Sequence, residues 1–292
     1  MLKDKIEDFW SRNYKWLMLL PIAILAISLI LIGTKFVRTG DFFNKDVSLK
    51  GGIAATIYTN IPVTEEEIKT ALGVESTIKK LGDITTGRQL GFIIEVSDLT
   101  EEQLREILTE KLSLELTSEN FSIETTTPKL SEAFFKQLMI AILFAFLLMA
   151  LAVFITFRTF APSMAVVAAA FMDITITLAI INIIGINIST SGIVAFLLVI
   201  GYSVDTDILL TNYSIKKRDG KLFDRMYHSM KTGLTMTACA FAVMLIGIFV
   251  SNSIIIKEMF MIILIALIVD VISTYLTNAG ILWTYCKKKN IT

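Results

Sequence analysis

The chemistry of this 292-residue chain is concentrated in four carboxylates set inside long apolar runs: Asp173, Asp205, Asp207 and Asp270. Ionisable groups at membrane depth are costly, and as a rule they face a bundle interior or a hydrated cavity. Asp173 and Asp270 fall near the middle of their runs, Asp205 and Asp207 nearer one end. Two steps along a helix turn it by about 200°, so Asp205 and Asp207 share a direction only if the helix is distorted. Gly201 and Ser203 leave room for such a distortion. Hydroxyls accompany two of the acids at helical spacing, Thr177 after Asp173 and Thr274 and Thr277 after Asp270, and Thr232 and Thr235 stripe the start of another apolar run beside Lys231. A seam of this kind has two readings. One is structural, with interhelical hydrogen bonds contributing about 0.6–2 kcal/mol each. The other is proton exchange by desolvated aspartates coupled to a change of conformation. Asp205, Asp207 and Asp173 are the relay candidates, with Lys231 as an orientation charge or as a counter-ion for Asp205 and Asp207. Thr177, Gly201, Ser203, Thr206, Thr232, Thr235, Asp270 and Thr274 are candidates for packing or for the polar seam.

Other chemistries find no support. Cys239 and Cys286 lie in apolar segments and suggest neither a disulfide framework nor a metal site. The one histidine, His228, sits in a basic loop. There is no Walker A loop, and the polar region from 35 to 136 holds neither a nucleophile–base pair nor a metal-ligand cluster. No catalytic residue, cofactor or metal is expected, and the chain does not read as an enzyme. The net charge of +0 gives no global field that would select nucleic acid.

Positioning these acids requires membrane helices. Hydrophobic residues make up 54% of the chain and charged residues only 18%, against about 45–50% and about 25% in soluble domains. Six stretches are long enough to cross a bilayer: 16–32, 138–157, 163–184, 188–210, 233–250 and 259–283. Each must be helical, because lipid offers the backbone no hydrogen-bond partner. Lys3, Lys5, Arg12 and Lys15 precede the first, Arg158 follows the second, a basic loop from Lys216 to Lys231 follows the fourth, and Lys287, Lys288 and Lys289 follow the sixth. The alternate short loops hold only Lys257, so both termini are expected in the cytoplasm and residues 35–134 outside. That outer region reads β-α-β-β-α-β. Its strands are expected at 47–59, 75–80, 88–97 and 120–127, with a turn around Gly82 and Gly87. Its two helices are opened by the capping boxes Thr64–Glu67 and Thr100–Gln103. Gly51-Gly52 suggests a bulge or a close backbone approach. The expected fold is a polytopic α-helical membrane protein of six transmembrane helices, with an α+β ferredoxin-like external domain between helices 1 and 2. Its parts are a tail and first helix (1–34), the external domain (35–134), a five-helix bundle (135–286) and a basic tail (287–292).

The segment Gly201-Tyr202-Ser203-Val204-Asp205-Thr206-Asp207 resembles the G-Y-S-(I/V)-N-D-(S/T) signature of the SecF family, part of the SecD/SecF group in the RND superfamily. Asp173-Ile174-Thr175-Ile176-Thr177-Leu178, Lys231-Thr232-Gly233-Leu234-Thr235 and the strand ending in Gly51-Gly52 are similar to further segments of that family, and the Asp-Thr-Asp variant resembles its archaeal branch. The chain departs from the pattern in three places. Thr206 stands at the family's acidic position with Asp205 and Asp207 flanking it, Ser48 stands where Asp is common, and Lys231 stands where Arg is common. The resemblance implies an accessory subunit of the Sec translocase in the cytoplasmic membrane. Its partners would be SecD, the SecYE translocon, the unfolded polypeptide in transit and membrane lipid, with the proton motive force as the candidate drive. The competing expectations are half of an RND-type small-molecule or lipid transporter, and a non-pumping scaffold of the translocon. An intramembrane aspartyl protease is not supported, because Gly201-Tyr202-Ser203-Val204-Asp205 lacks the G-x-G-D motif.

Overall fold

The structure is a computed structural model and describes residues 2–59, 63–82, 89–111, 116–117, 119–251 and 253–291, with side chains from residue 5 onward. Gly87 of the expected turn and the side chain of Lys3 lie outside the described residues.

A long helix, α1 (Leu2–Thr39), leads into a polar unit. This contains a helical turn α2 (Val47–Lys50), β1 (Gly52–Tyr58), α3 (Glu65–Leu72), β2 (Ser76–Gly82), β3 (Gln89–Val96), α4 (Glu101–Glu110) and β4 (Phe121–Thr126). The long helices α5 (Pro128–Phe157), α6 (Phe160–Ile184), α7 (Thr190–Ile215), α8 (Leu222–Val250) and α9 (Ile254–Ile272) come next. A π-helical turn, Ser273–Asn278, then carries the chain without interruption into α10 (Ala279–Lys288). Among the described residues, α1, α5, α6, α7 and α8 are long and apolar enough to cross a membrane. Helix α9 is as apolar but carries Lys257, Glu258 and Asp270 within 19 residues. The helices overrun the apolar stretches because flanking polar residues continue the same turns. They stop where the backbone leaves the helical region, as at Gly185 (φ 82°) after α6.

The sheet has the order β2-β3-β1-β4, and every neighbouring pair is antiparallel. Both capping boxes form as their spacing predicts: Thr64 accepts from the Glu67 amide and Thr100 from the Gln103 amide. Alternation along the strands turns Ile53, Ala55, Ile57, Phe92 and Ile94 toward Ile68, Leu72, Leu104 and Leu108 of the two helices. The opposite face carries Thr77, Lys79 and Glu95, and it meets the bundle rather than open solvent. Lys79 reaches Glu258 at the start of α9 (3.9 Å), and Asn187 donates to Thr77 (3.0 Å).

One expected strand is corrected. Residues 47–50 coil into α2, and β1 begins only at Gly52. Gly51 (φ 87°) turns the chain between them, in a conformation that L side chains rarely adopt. It also passes so close to Pro128 that a Cβ at this position would stand 2.6 Å from the proline Cα. This is the close approach that the glycine pair suggests.

Candidate functional site: three carboxylates in the bundle

Helices α6 and α7 are the inner members of the bundle, and α9 packs on both. Their facing sides bring Asp173, Asp207 and Asp270 together, with exposures of 0%, 0% and 1%. The three belong to one hydrogen-bonded system. Ser203 donates to Asp173 Oδ2 (2.5 Å), and Ser273 donates to the other oxygen of the same carboxylate. Thr206 lies 3.2 Å from both oxygens of Asp270 and 2.8 Å from the Ser203 carbonyl. Thr274 stands between Asp207 Oδ1 (2.9 Å) and Asp270 Oδ1 (3.2 Å), and the Asn278 amide donates to Asp207 Oδ1 (2.6 Å).

The π-helical turn explains how one helix supplies so much of this set. A π turn adds a residue to the local repeat and rotates the rest of the helix about its axis. Ser273, Thr274, Thr277 and Asn278 are all buried there, and three of them bond to the acids. Gly233 of α8 makes room beside the turn, since a Cβ there would meet the Tyr275 hydroxyl oxygen at 2.0 Å.

Donors are scarce. Four hydroxyls bring one proton each and the Asn278 amide brings two, while three ionised carboxylates offer about four lone-pair sites each. Asp207 Oδ2 has no partner. Among the described residues no lysine or arginine pairs with any of the three, and no group of three or more acids, histidines or cysteines is arranged to hold a metal ion.

The sequence-derived candidates divide accordingly. Asp173, Asp207, Asp270, Ser203, Thr206 and Thr274 meet in the cluster. Thr177 is buried on α6 with its hydroxyl unpartnered. Asp205 is corrected: α7 runs unbroken through 190–215, so Asp205 stands about 200° from Asp207 and is exposed. Lys231, Thr232 and Thr235 are corrected as well. They lie on the exposed side of α8, where the two threonines donate to the backbone carbonyls of His228 (3.1 Å) and Lys231 (2.9 Å) instead of to the seam. Gly201 is not a packing position, because nothing lies within 4 Å of where its Cβ would be. Ser273 and Asn278 join the cluster without having been singled out by the sequence. Their spacing of three and eight residues from Asp270 is the available signal, since both positions fall on its helical face.

Residues 107–288 match the protein family described as "Protein export membrane protein SecD/SecF, C-terminal". The protein-export membrane protein SecF of Pyrococcus furiosus is 30% identical over 99% of this chain and 97% of its own length. That of Methanocaldococcus jannaschii is 33% identical over 94% and 96%. A crystal structure of SecDF from Thermus thermophilus, described as a translocon-associated membrane protein, shares the fold with a TM-score of 0.75 at 20% identity. The match covers 96% of this chain and 38% of that longer one. The buried acids thus sit in a scaffold whose sequence and fold both have known relatives, and the chain belongs to the SecD/SecF family of protein-export membrane proteins.

Proposed function

We propose that the chain is a non-enzymatic accessory subunit of Sec-type protein export in the plasma membrane, and that it couples proton movement to a change of conformation. The observation that carries the reading is the Asp173–Asp207–Asp270 cluster, which is buried, short of donors and, among the described residues, without a basic partner. Three negative charges in such a place are not sustainable uncompensated. Protons provide the compensation, and the unpartnered Asp207 Oδ2 is where the network can take one up. A conformational change results if the two states bind that proton with different affinity.

The rest of the architecture supports this role. The uninterrupted path from α9 through the π turn to α10 supports a sixth crossing beside the five long apolar helices. The element order β-α-β-β-α-β with sheet order β2-β3-β1-β4 supports a ferredoxin-like external domain. The basic residues at both termini and between α7 and α8 support cytoplasmic ends, with 35–134 outside and available to a polypeptide in transit. SecD and the SecYE translocon are the partners. Asp205 and Lys231 face away from the cluster, on surfaces open to a second subunit. No nucleic acid, cofactor or metal enters the scheme.

The test replaces Asp207 and Asp173 with Asn, singly and together, and measures late-stage export of a secretory reporter in cells. Asn keeps the shape and removes the titration. Export is expected to slow to the rate of cells lacking the protein, with the variants still present in the membrane. Unchanged export would remove the proton role and leave the family assignment standing.

A further inference from the structure

A second buried polar cluster lies where the sheet meets the bundle. Lys79 of β2 stands 2.7 Å from Glu95 of β3, 3.3 Å from Asp46 ahead of α2 and 3.9 Å from Glu258 of α9. One ammonium therefore serves three carboxylates on three other segments. Asp46 is 7% exposed and its Oδ1 has no hydrogen-bond donor, and the Glu95 carboxyl sits beside it on the same Lys79 ammonium. The joint is stitched by backbone: Ile188 donates to Asn44 (2.7 Å) and Asp46 donates to Ile188 (3.0 Å). Glu258 in turn accepts from the amide and the hydroxyl of Ser189, both at 3.0 Å. A polar cleft of about 220 Å³ opens on one side of Glu95, so water and protons reach it. The other charged groups on its walls are Lys45, Lys50, Glu75 and Asp98.

We propose that this joint is a proton-operated latch: a proton held between Glu95 and Asp46 keeps the sheet docked on the bundle, and its loss releases the sheet. With Glu95 neutral, its hydroxyl becomes a donor available to the Asp46 carboxylate, and Lys79 faces two charged carboxylates. With Glu95 ionised, Lys79 faces three and that donor is lost. Burial pushes the Glu95 carboxyl up, the Asp46 charge adds to this and Lys79 opposes it, leaving it at about 7 against an ordinary value of 4.5. Burial lowers the Lys79 ammonium, but Asp46, Glu95 and Glu258 outweigh that and hold it above the ordinary lysine value, so it stays charged throughout. In the undocked state Glu95 meets water and returns toward its ordinary value. The docked state therefore binds the extra proton between about pH 4.5 and 7. Docking is strongest below that window and is lost as pH rises through it, by at most about tenfold per pH unit.

The inference concerns the joint alone and stands whether or not the bundle acids move protons. Its test is hydrogen exchange at the Asp46 and Ile188 amides in the full-length protein in lipid nanodiscs, at pH 5.5 and 8.0, corrected for the intrinsic pH dependence of exchange. Protection is expected to fall by at least tenfold at the higher pH. Glu95→Gln, which keeps a donor and cannot ionise, is expected to hold the low-pH protection at both values. Asp46→Asn, which removes the neighbouring charge, is expected to move the transition to lower pH. Equal protection of the unaltered protein at both pH values would overturn the latch. So would a pH dependence that survives unchanged in both variants.

Discussion

The two buried acid clusters hold the same number of carboxylates and answer them differently. At the joint, Asp46, Glu95 and Glu258 surround the Lys79 ammonium beside a polar cleft. In the bundle, among the described residues, Asp173, Asp207 and Asp270 meet only neutral hydroxyls and an amide. The difference comes from the surroundings. A lysine can serve the joint because its stem lies along the sheet face while its head stays near water. Deep in a helical bundle a fixed cation would itself need compensation, so neutral dipoles hold the acids, and in the proposed function a mobile proton sets their charge. The joint therefore depends on its cation, whereas the bundle acids, in the function proposed above, change charge without coming apart.

Lys79→Met should expose that contrast most strongly. It removes, among the described residues, the cation paired with three carboxylates, each on a different segment of the joint. Breaking a buried ion pair costs about 3–5 kcal/mol. The Lys79 side chain is 22% exposed, which places the expected loss near the lower end, at about 3 kcal/mol at pH 7, read from denaturant unfolding of the purified protein. The loss should shrink toward pH 5, where a proton on Glu95 removes one of the uncompensated charges. Asp207→Asn, by contrast, should change stability by under about 1 kcal/mol, because an amide replaces a group already held by neutral partners. Equal losses for the two would erase the distinction.

Asn278→Ala sharpens the comparison within the bundle. The Asn278 amide gives Asp207 its shortest hydrogen bond (2.6 Å), and a bond to a charged group contributes about 1.5–3 kcal/mol. A loss of about 2 kcal/mol is expected in the same unfolding measurement. Adding Asp207→Asn should recover most of it, giving a coupling that a double-mutant cycle can read. Full additivity would mean that Asn278 acts through packing of the π turn and not through the acid.

Much of this arrangement is legible from residue order, and the remainder depends on the third dimension. The apolar runs mark the long helices because lipid leaves the backbone no other choice. The two capping boxes mark α3 and α4 because their reciprocal bonds are local. Thr274 at four residues from Asp270 is readable from helical spacing alone. The π turn is not, since nothing in Ser273–Asn278 distinguishes it from an α-helical continuation until neighbouring helices compete for its side chains. The joint is hidden for a related reason. Lys79 and Glu95 occupy the polar phase of alternating strands, which normally faces water, and only the docking of the sheet on α9 turns that phase inward. Asp205 and Asp207 pose the opposite problem: the sequence shows that they diverge, and only packing selects which one is buried.

The smallest expected effect tests that selection on α8. Thr232 and Thr235 fit the family pattern, yet both hydroxyls return to their own helix, to the carbonyls of His228 and Lys231. A backbone carbonyl already engaged in the helix gains little from a second donor, and β-branched valine keeps the shape. The double change Thr232→Val, Thr235→Val should therefore alter stability by no more than about 0.5 kcal/mol and leave export of the reporter unchanged. Thr274→Val in the π turn removes the hydroxyl shared by Asp207 and Asp270 and should affect both measurements. If the α8 pair instead matched Thr274, these threonines would have to reach the acids in another conformation of the bundle, and the cluster would extend across four helices instead of three.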